Sequence, residues 1–317
     1  RSAEDDGRDG SRSGHAAGGR APGDKPNLLF LWTDQQRADT MAAYCNVGYR
    51  VPAINRLASE GVVFQRCCVT HSVCTPSHTG LMTGLWPHTA GSVRNNTRLK
   101  RQPESLPELL ADSDYRTALM GKWHLAMRRI LWALEVSGAA ANTIVVYTSD
   151  HGEMLGAHTL MADNVMYEEA VRVPLLLRVP FRKRKPQRIP QPVSQIDLVP
   201  TLLELLGKKD CCELSGRGLL PLMGGDRRNN DDVFIEWTED PRDPFQPGRD
   251  GRALVSSDWW KFAVYDGDSG LLFDRRRHRL ELNNLCGRSG SAATARALRR
   301  KIEDWQRRTG DTFPLLA

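Results

Sequence analysis

No stretch of this chain stays apolar for the roughly 20 residues that a bilayer-spanning helix needs. The longest candidates are strand-length pieces at 28–32 and 174–177, so no membrane partner is expected. The first 24 residues are nearly free of large apolar side chains and rich in Gly, Ser, Arg and Asp. Such a segment buries too little surface to offset the entropy of ordering, and residues 1–25 read as a disordered tail. The tail has no apolar h-region, so no signal peptide is visible and the chain leans toward a cytoplasmic location. The seven cysteines stand as the pairs Cys67-Cys68 and Cys211-Cys212 and as Cys45, Cys74 and Cys286. That odd, clustered set gives neither a zinc spacing nor a disulfide framework. No internal repeat is visible either.

The basic excess is modest, 44 Lys and Arg against 38 Asp and Glu for a net charge of +6. It gathers at 178–188, 275–279 and 296–308, which read as a Pro-flanked loop, a turn and the polar face of a helix. A nucleic-acid groove wants such stripes interleaved with stacking aromatics. Solvated surface is the reading taken, with no nucleic-acid partner.

What the chain does hold, at 317 residues and 40% hydrophobic content, is enough to build a sizeable core. Residues 27–33 form an apolar run ending in Asp34-Gln35-Gln36, the pattern of a buried parallel strand that delivers polar groups at its carboxyl end. Helices are expected at 52–59, 106–110, 127–136 and 198–206, and strands at 62–69, 116–120, 143–148 and 173–179. That alternation argues for an α/β fold, a mostly parallel sheet flanked by helices. From about residue 226 the texture becomes short strand-like pieces at 233–237, 253–256, 261–265 and 271–273, followed by a helix at 292–305. The chain divides accordingly into an α/β domain at 26–225 and a small C-terminal antiparallel sheet with one helix at 226–317.

Asp34-Gln35 and Asp150-His151 end two strands that a parallel sheet can bring together, and they offer oxygen and imidazole ligands suited to a divalent ion. The plainer alternative is that each Asp caps the helix after its strand. Cys74-Thr75-Pro76-Ser77-His78 follows another strand where a helix can begin and turn its backbone N–H groups toward an anion. Asn95-Asn96-Thr97 fits a glycosylation sequon, which matters only in a eukaryotic secretory setting.

Taken in order, these pieces resemble the type I, formylglycine-dependent sulfatases of the alkaline-phosphatase superfamily. Cys74-Thr75-Pro76-Ser77-His78 is similar to the Cys-x-Pro-Ser-Arg signature, and Thr83-Gly84 with Pro87-His88-Thr89 continues it. Gly121-Lys122-Trp123-His124-Leu125 resembles the second signature. Ser149-Asp150-His151-Gly152-Glu153 resembles the second metal strand, and Tyr167-Glu168-Glu169, Asp197-Leu198-Val199-Pro200-Thr201 and Glu281-Leu282-Asn283-Asn284-Leu285 resemble later landmarks. The resemblance implies that Asp34, Gln35, Asp150, His151 and a modified Cys74 hold Ca²⁺, with Mg²⁺ or Mn²⁺ as alternatives. It implies catalytic roles for Cys74, Lys122, His124 and His78, with Lys122 and His124 binding the nucleophile and the sulfate. It also implies formylglycine in place of Cys74, hence a formylglycine-generating partner enzyme, and a small-molecule or glycan sulfate ester as substrate. A hydrated aldehyde can attack sulfur through one hydroxyl and expel sulfate through the other; unmodified cysteine lacks that second oxygen.

Three departures stand against the resemblance. His78 replaces the signature Arg, removing a permanent positive charge. Met161-Ala162-Asp163-Asn164 stands where a sulfate-binding Lys is usual, so Asp163 is expected to repel sulfate. The second signature runs through Leu125-Ala126-Met127 almost directly into the next helix, so a long segment with a sulfate-contacting His is absent and core should be exposed. The function implied is sulfuric-ester hydrolysis. The alternatives are a phosphonate or phosphate diester hydrolase of the same superfamily and a catalytically impaired, non-enzymatic remnant.

Overall fold

The computed structural model describes residues 25–45, 51–97, 104–111, 113–119, 127–182, 185–208, 213–228, 231–241, 250–267 and 270–315. The expected tail before Lys25, the second signature with Lys122 and His124, and the Cys211-Cys212 pair lie outside these residues.

The larger sheet is built from β1 (Asn27–Thr33), β2 (Val62–Cys68), β3 (Thr143–Ser149), β4 (Arg172–Val173), β5 (Leu175–Arg178) and β6 (Gln187–Ser194). Its order is β1-β3-β5-β2-β4, with β6 also paired to β2. β1 runs parallel to β3 and β2 parallel to β6, whereas β5 is antiparallel to both its neighbours and β4 is antiparallel to β2. The sheet is therefore mixed, with its parallel pairs placed where the candidate ligands leave the strands.

Side chains alternate across the sheet as strand geometry requires. Val145 and Tyr147 of β3 pack with Ile54 and Leu57 of α1 (Pro52–Glu60) and Leu131 of α5 (Met127–Val136). Ile144 and Val146 face the other layer, which holds Leu81 of α2 (Cys74–Thr83), Leu109 of α4 (Leu106–Ala111) and Leu198 and Leu202 of α7 (Leu198–Leu205). Three short helices, α3 (Pro87–Ala90), α6 (Glu168–Val171) and α8 (Leu220–Gly224), fill the connections. The second sheet is antiparallel, in the order β10 (Leu271–Asp274), β9 (Trp260–Tyr265), β8 (Gly251–Val255), β7 (Val233–Trp237). Leu298, Ile302 and Trp305 of α9 (Ala292–Thr309) cover Phe234, Leu254, Phe262 and Leu272 on its outer face. Among the described residues no helix is long and apolar enough to cross a membrane.

Several expectations are corrected. The segment expected as a strand at 116–120 is irregular over its described residues, and Leu119 is 77% exposed because no strand among the described residues receives it. β1 is apolar from Leu28 to Trp32 yet only half-buried there, since it is the outermost strand of the path. β6 was not foreseen because Pro190 and Pro192 break the usual strand pattern. Prolines are accommodated on an edge strand, where one side needs no donor. Within the expected basic turn, Arg275 is buried and ion-paired to Glu168 and Glu281, whereas Arg277 is exposed.

Candidate metal centre and nucleophile

Pairing of β1 with β3 fixes the first half of the site. Thr33 stands opposite Ser149, and Asp150 N–H donates to the Thr33 carbonyl at 3.1 Å, so Asp34 and Asp150 leave adjacent strand ends side by side. Gln35 takes a left-handed backbone (φ 58°) that turns its N–H onto Asp150 Oδ1 at 3.0 Å. The Gln35 residue itself is exposed. Residues 151–154 are irregular and no helix begins there, which disposes of helix capping as the role of Asp150.

Gly152 is required by close approach. A Cβ there would lie 1.9 Å from the Glu169 carbonyl oxygen, while Gly152 N–H donates to Ala170 O at 2.7 Å. Gly152→Ala is expected to cost about 2 kcal/mol or more, because backbone on both sides must shift. A urea midpoint within error of wild type would contradict this.

The second half comes from β2 and the helix after it. Cys74 is the first residue of α2, and its Sγ lies 3.2 Å from His151 Nε2. Among the described residues Asp34, Cys74, Asp150 and His151 each offer a ligand atom, all within 4.8 Å of one another. Asp150 and His151 are fully buried, and Cys74 is partly accessible. Asp150 Oδ2 is shared between His151 Nε2 at 3.4 Å and His78 Nε2 at 3.0 Å. His78, one turn along α2 and 41% exposed, therefore faces the ligand cluster.

Electrostatics follow from that crowding. Burial alone would lower the His151 pKa, but the Cys74 sulfur, Asp163 and Asp150 outweigh it and hold the ring at about 10. Burial would raise the Asp150 carboxyl; His78, His151 and the Gln35 N–H keep it below the usual range. Two carboxylates, an imidazole and a thiol converging in a buried place concentrate negative charge with hard oxygen donors, and that set fits a divalent cation.

Asp163 requires a correction. Its carboxylate is buried and lies 3.1 Å from His151 Nδ1, on the edge of the ring away from Cys74, so it is paired rather than poised to repel an anion. Three further residues, none of them expected at the site, support it. Ser77 Oγ donates to Asp150 O at 2.5 Å, Gln195 Nε2 donates to Ser149 O at 2.5 Å, and Asn95 Oδ1 accepts from Thr75 N–H at 3.0 Å. The Asn of the sequon thus caps the helix that carries Cys74. Ser77 stood in the signature without an assigned role, Asn95 stood in a sequon that signalled a different one, and Gln195 stood in no motif.

The four ligand side chains thus form a candidate metal centre at the ends of the paired strands β1 and β3, beside the start of α2. The profile of the family described as Sulfatase matches residues 26–129 and 126–208, and the chain belongs to that family. An N-acetylglucosamine-6-O-sulfatase of Bacteroides thetaiotaomicron is 32% identical over 101 residues, spanning 32% of this chain and 18% of that protein. Among solved structures, one of a protein in complex with its substrate D-glucosamine-2-N,6-O-disulfate superposes with a TM-score of 0.81 at 18% identity, covering 92% of this chain and 99% of the other. A phosphonate monoester hydrolase from Silicibacter pomeroyi superposes at 0.76 with 17% identity, covering 91% and 96%. At these identities the superpositions establish the fold.

Proposed function

We propose that the chain is a sulfuric-ester hydrolase whose nucleophile derives from Cys74. The observation that carries the reading is the Cys74 sulfur at the N-terminus of α2, 3.2 Å from His151 in a cluster of four ligand side chains. Asp34, Asp150 and His151, with Gln35 beside them, would hold a divalent cation, Ca²⁺ in preference to Mg²⁺ or Mn²⁺ given the oxygen donors. When bound, that cation would neutralise charge on sulfuryl oxygens and acidify the attacking hydroxyl. The chain's own contribution is positional. Cys74, converted to formylglycine by a maturation enzyme, presents its oxygens from a helix start whose backbone N–H groups face an incoming anion. Ser77 and Gln195 fix the carbonyls of Asp150 and Ser149, so the carboxylate ligands are held before substrate arrives.

A sulfated sugar is the substrate class favoured by the names of the relatives, and Lys122 and His124 are the groups assigned to its sulfate. The two profile matches meet at 126–129, Leu119 is exposed and β1 is half-open. These support the reading that a segment lining the pocket is missing there. His78, in place of a permanent cation, supports impaired turnover.

The test is the intact mass of the peptide spanning 69–78 from protein co-expressed with the maturation enzyme, beside assays of an aryl sulfate and a phosphonate monoester. Conversion of Cys74 with weak but preferential sulfate turnover is expected. Preference for the phosphonate would move the chain to the neighbouring branch, and an unmodified Cys74 without turnover would make it a remnant.

A further inference from the structure

The imidazole of His151 is placed between two sets of partners. Its Nε2 faces Cys74 Sγ at 3.2 Å, Asp150 Oδ2 at 3.4 Å and Asp34 Oδ1 at 3.9 Å. Among the described residues its Nδ1 faces only acceptors, the Gly152 carbonyl at 2.9 Å and Asp163 Oδ2 at 3.1 Å. An acceptor pair at Nδ1 holds one proton there, so Nε2 is the nitrogen that can give up its proton to ligate a cation in the cluster. A carboxylate behind a ligating histidine fixes the ring's tautomer and orientation and raises its basicity as a ligand.

The loop that delivers Asp163 is built at a conformational cost. Leu155, His158, Thr159 and Ala162 all have positive φ, between 48° and 65°, a region that non-glycine residues rarely enter. Such strain persists only where the surroundings over-determine it. Here Met154 N–H donates to Ala162 O at 2.9 Å and Val165 N–H to Asp163 O at 2.7 Å, clamping the residue from both sides. A surface loop under no positional demand would relax.

We propose that Asp163 is a positioning residue that fixes His151 as a metal ligand through Nε2. The inference rests on the reading of the cluster as a metal centre.

The experiment is calorimetric titration of Mn²⁺ into the purified metal-free full chain, as wild type, Asp163→Ala and Asp163→Asn. Asp163→Ala is expected to weaken Mn²⁺ about 10- to 100-fold. Asp163→Asn keeps an acceptor oxygen and should retain most of the affinity, a rescue that a merely structural role would not show. In parallel, the His151 Nδ1–H proton is followed by ¹⁵N-edited NMR in the metal-free proteins, where a hydrogen-bonded downfield resonance should be present in wild type and should move upfield in Asp163→Ala, which keeps only the Gly152 carbonyl as acceptor. Unchanged Mn²⁺ affinity in Asp163→Ala overturns the proposal. A wild type that binds no Mn²⁺ overturns the metal-centre reading instead, and the Nδ1–H resonance still decides the Asp163–His151 contact.

Discussion

Replacing Glu281 by Leu is expected to destabilise the fold by about 3 to 5 kcal/mol, as removal of one partner from a buried ion pair generally does. Glu281 is 2% exposed and receives Lys261 Nζ at 3.0 Å, with Lys261 itself 1% exposed. Arg275 Nε lies 3.2 Å from the other carboxylate oxygen, and Glu168 N–H donates to Glu281 Oε2 at 2.9 Å. Glu168 in turn holds Arg275 Nη2 at 2.5 Å and Arg172 Nη1 at 3.5 Å. Removing the Glu281 carboxylate strands an ammonium with no water to solvate it and leaves a guanidinium with one anion fewer. Burial pushes the Glu281 carboxyl up, and Lys261 and Arg275 pull it back toward the charged form, which is the balance the substitution would break.

The same contact has a functional consequence. Lys261 lies on β9 and Glu281 follows β10, whereas Glu168 opens α6, directly after the loop that carries Asp163. The buried charges therefore pin the second sheet onto the segment that supports His151. The double variant Lys261→Met with Glu281→Leu should recover much of the lost stability, because an apolar pair of similar volume removes both desolvation penalties. Urea denaturation with a shared slope reads both values. A Glu281→Leu midpoint equivalent to less than about 1 kcal/mol below wild type would show that the network contributes no more than a surface pair.

How much of this was readable in the sequence depends on distance along the chain. Asp34, Asp150 and His151 were legible because each follows a short apolar run, and Cys74 because it opens a helix after a strand. Local pattern reports strand ends well. The antiparallel insertion of β5 between β3 and β2 was not legible, since pairing is decided by contacts far apart in sequence and 175–178 looks the same in either direction. The role of Asp163 was misread for a related reason. Its charge is visible in the sequence, but whether it faces an anion or an imidazole depends on a loop folded through four left-handed non-glycine residues that no local rule anticipates. Residues 116–119 show the converse. Their strand propensity is real, yet a strand without a neighbour to accept its hydrogen bonds stays irregular.

Turnover of an aryl sulfate by the matured chain is expected to fall several hundred-fold short of what a site with an arginine at position 78 would give. A sulfate ester's transition state spreads negative charge over several oxygens, and losing one donor aimed at such charge costs about 3 to 4 kcal/mol. His78 points at the cluster, with Nε2 3.0 Å from Asp150 Oδ2, so its polarity is engaged by a carboxylate and not offered to substrate. An arginine at 78 carries a fork of donors and can hold Asp150 with one nitrogen while presenting others to an anion. His78→Arg should therefore raise kcat/KM by about 100-fold or more, with most of the gain in kcat because the added charge meets oxygens that become more negative in the transition state. Asp163→Lys should add nothing to this and should reduce it, since an ammonium at that place faces the Nδ1–H edge of His151 and withdraws its acceptor. The measurement compares wild type, His78→Arg and the double variant, all co-expressed with the maturation enzyme and corrected for the converted fraction of Cys74. Equal turnover by wild type and His78→Arg at equal conversion would show that the cation at 78 is dispensable. A double variant faster than His78→Arg would return Asp163 to the role of an anion-repelling residue.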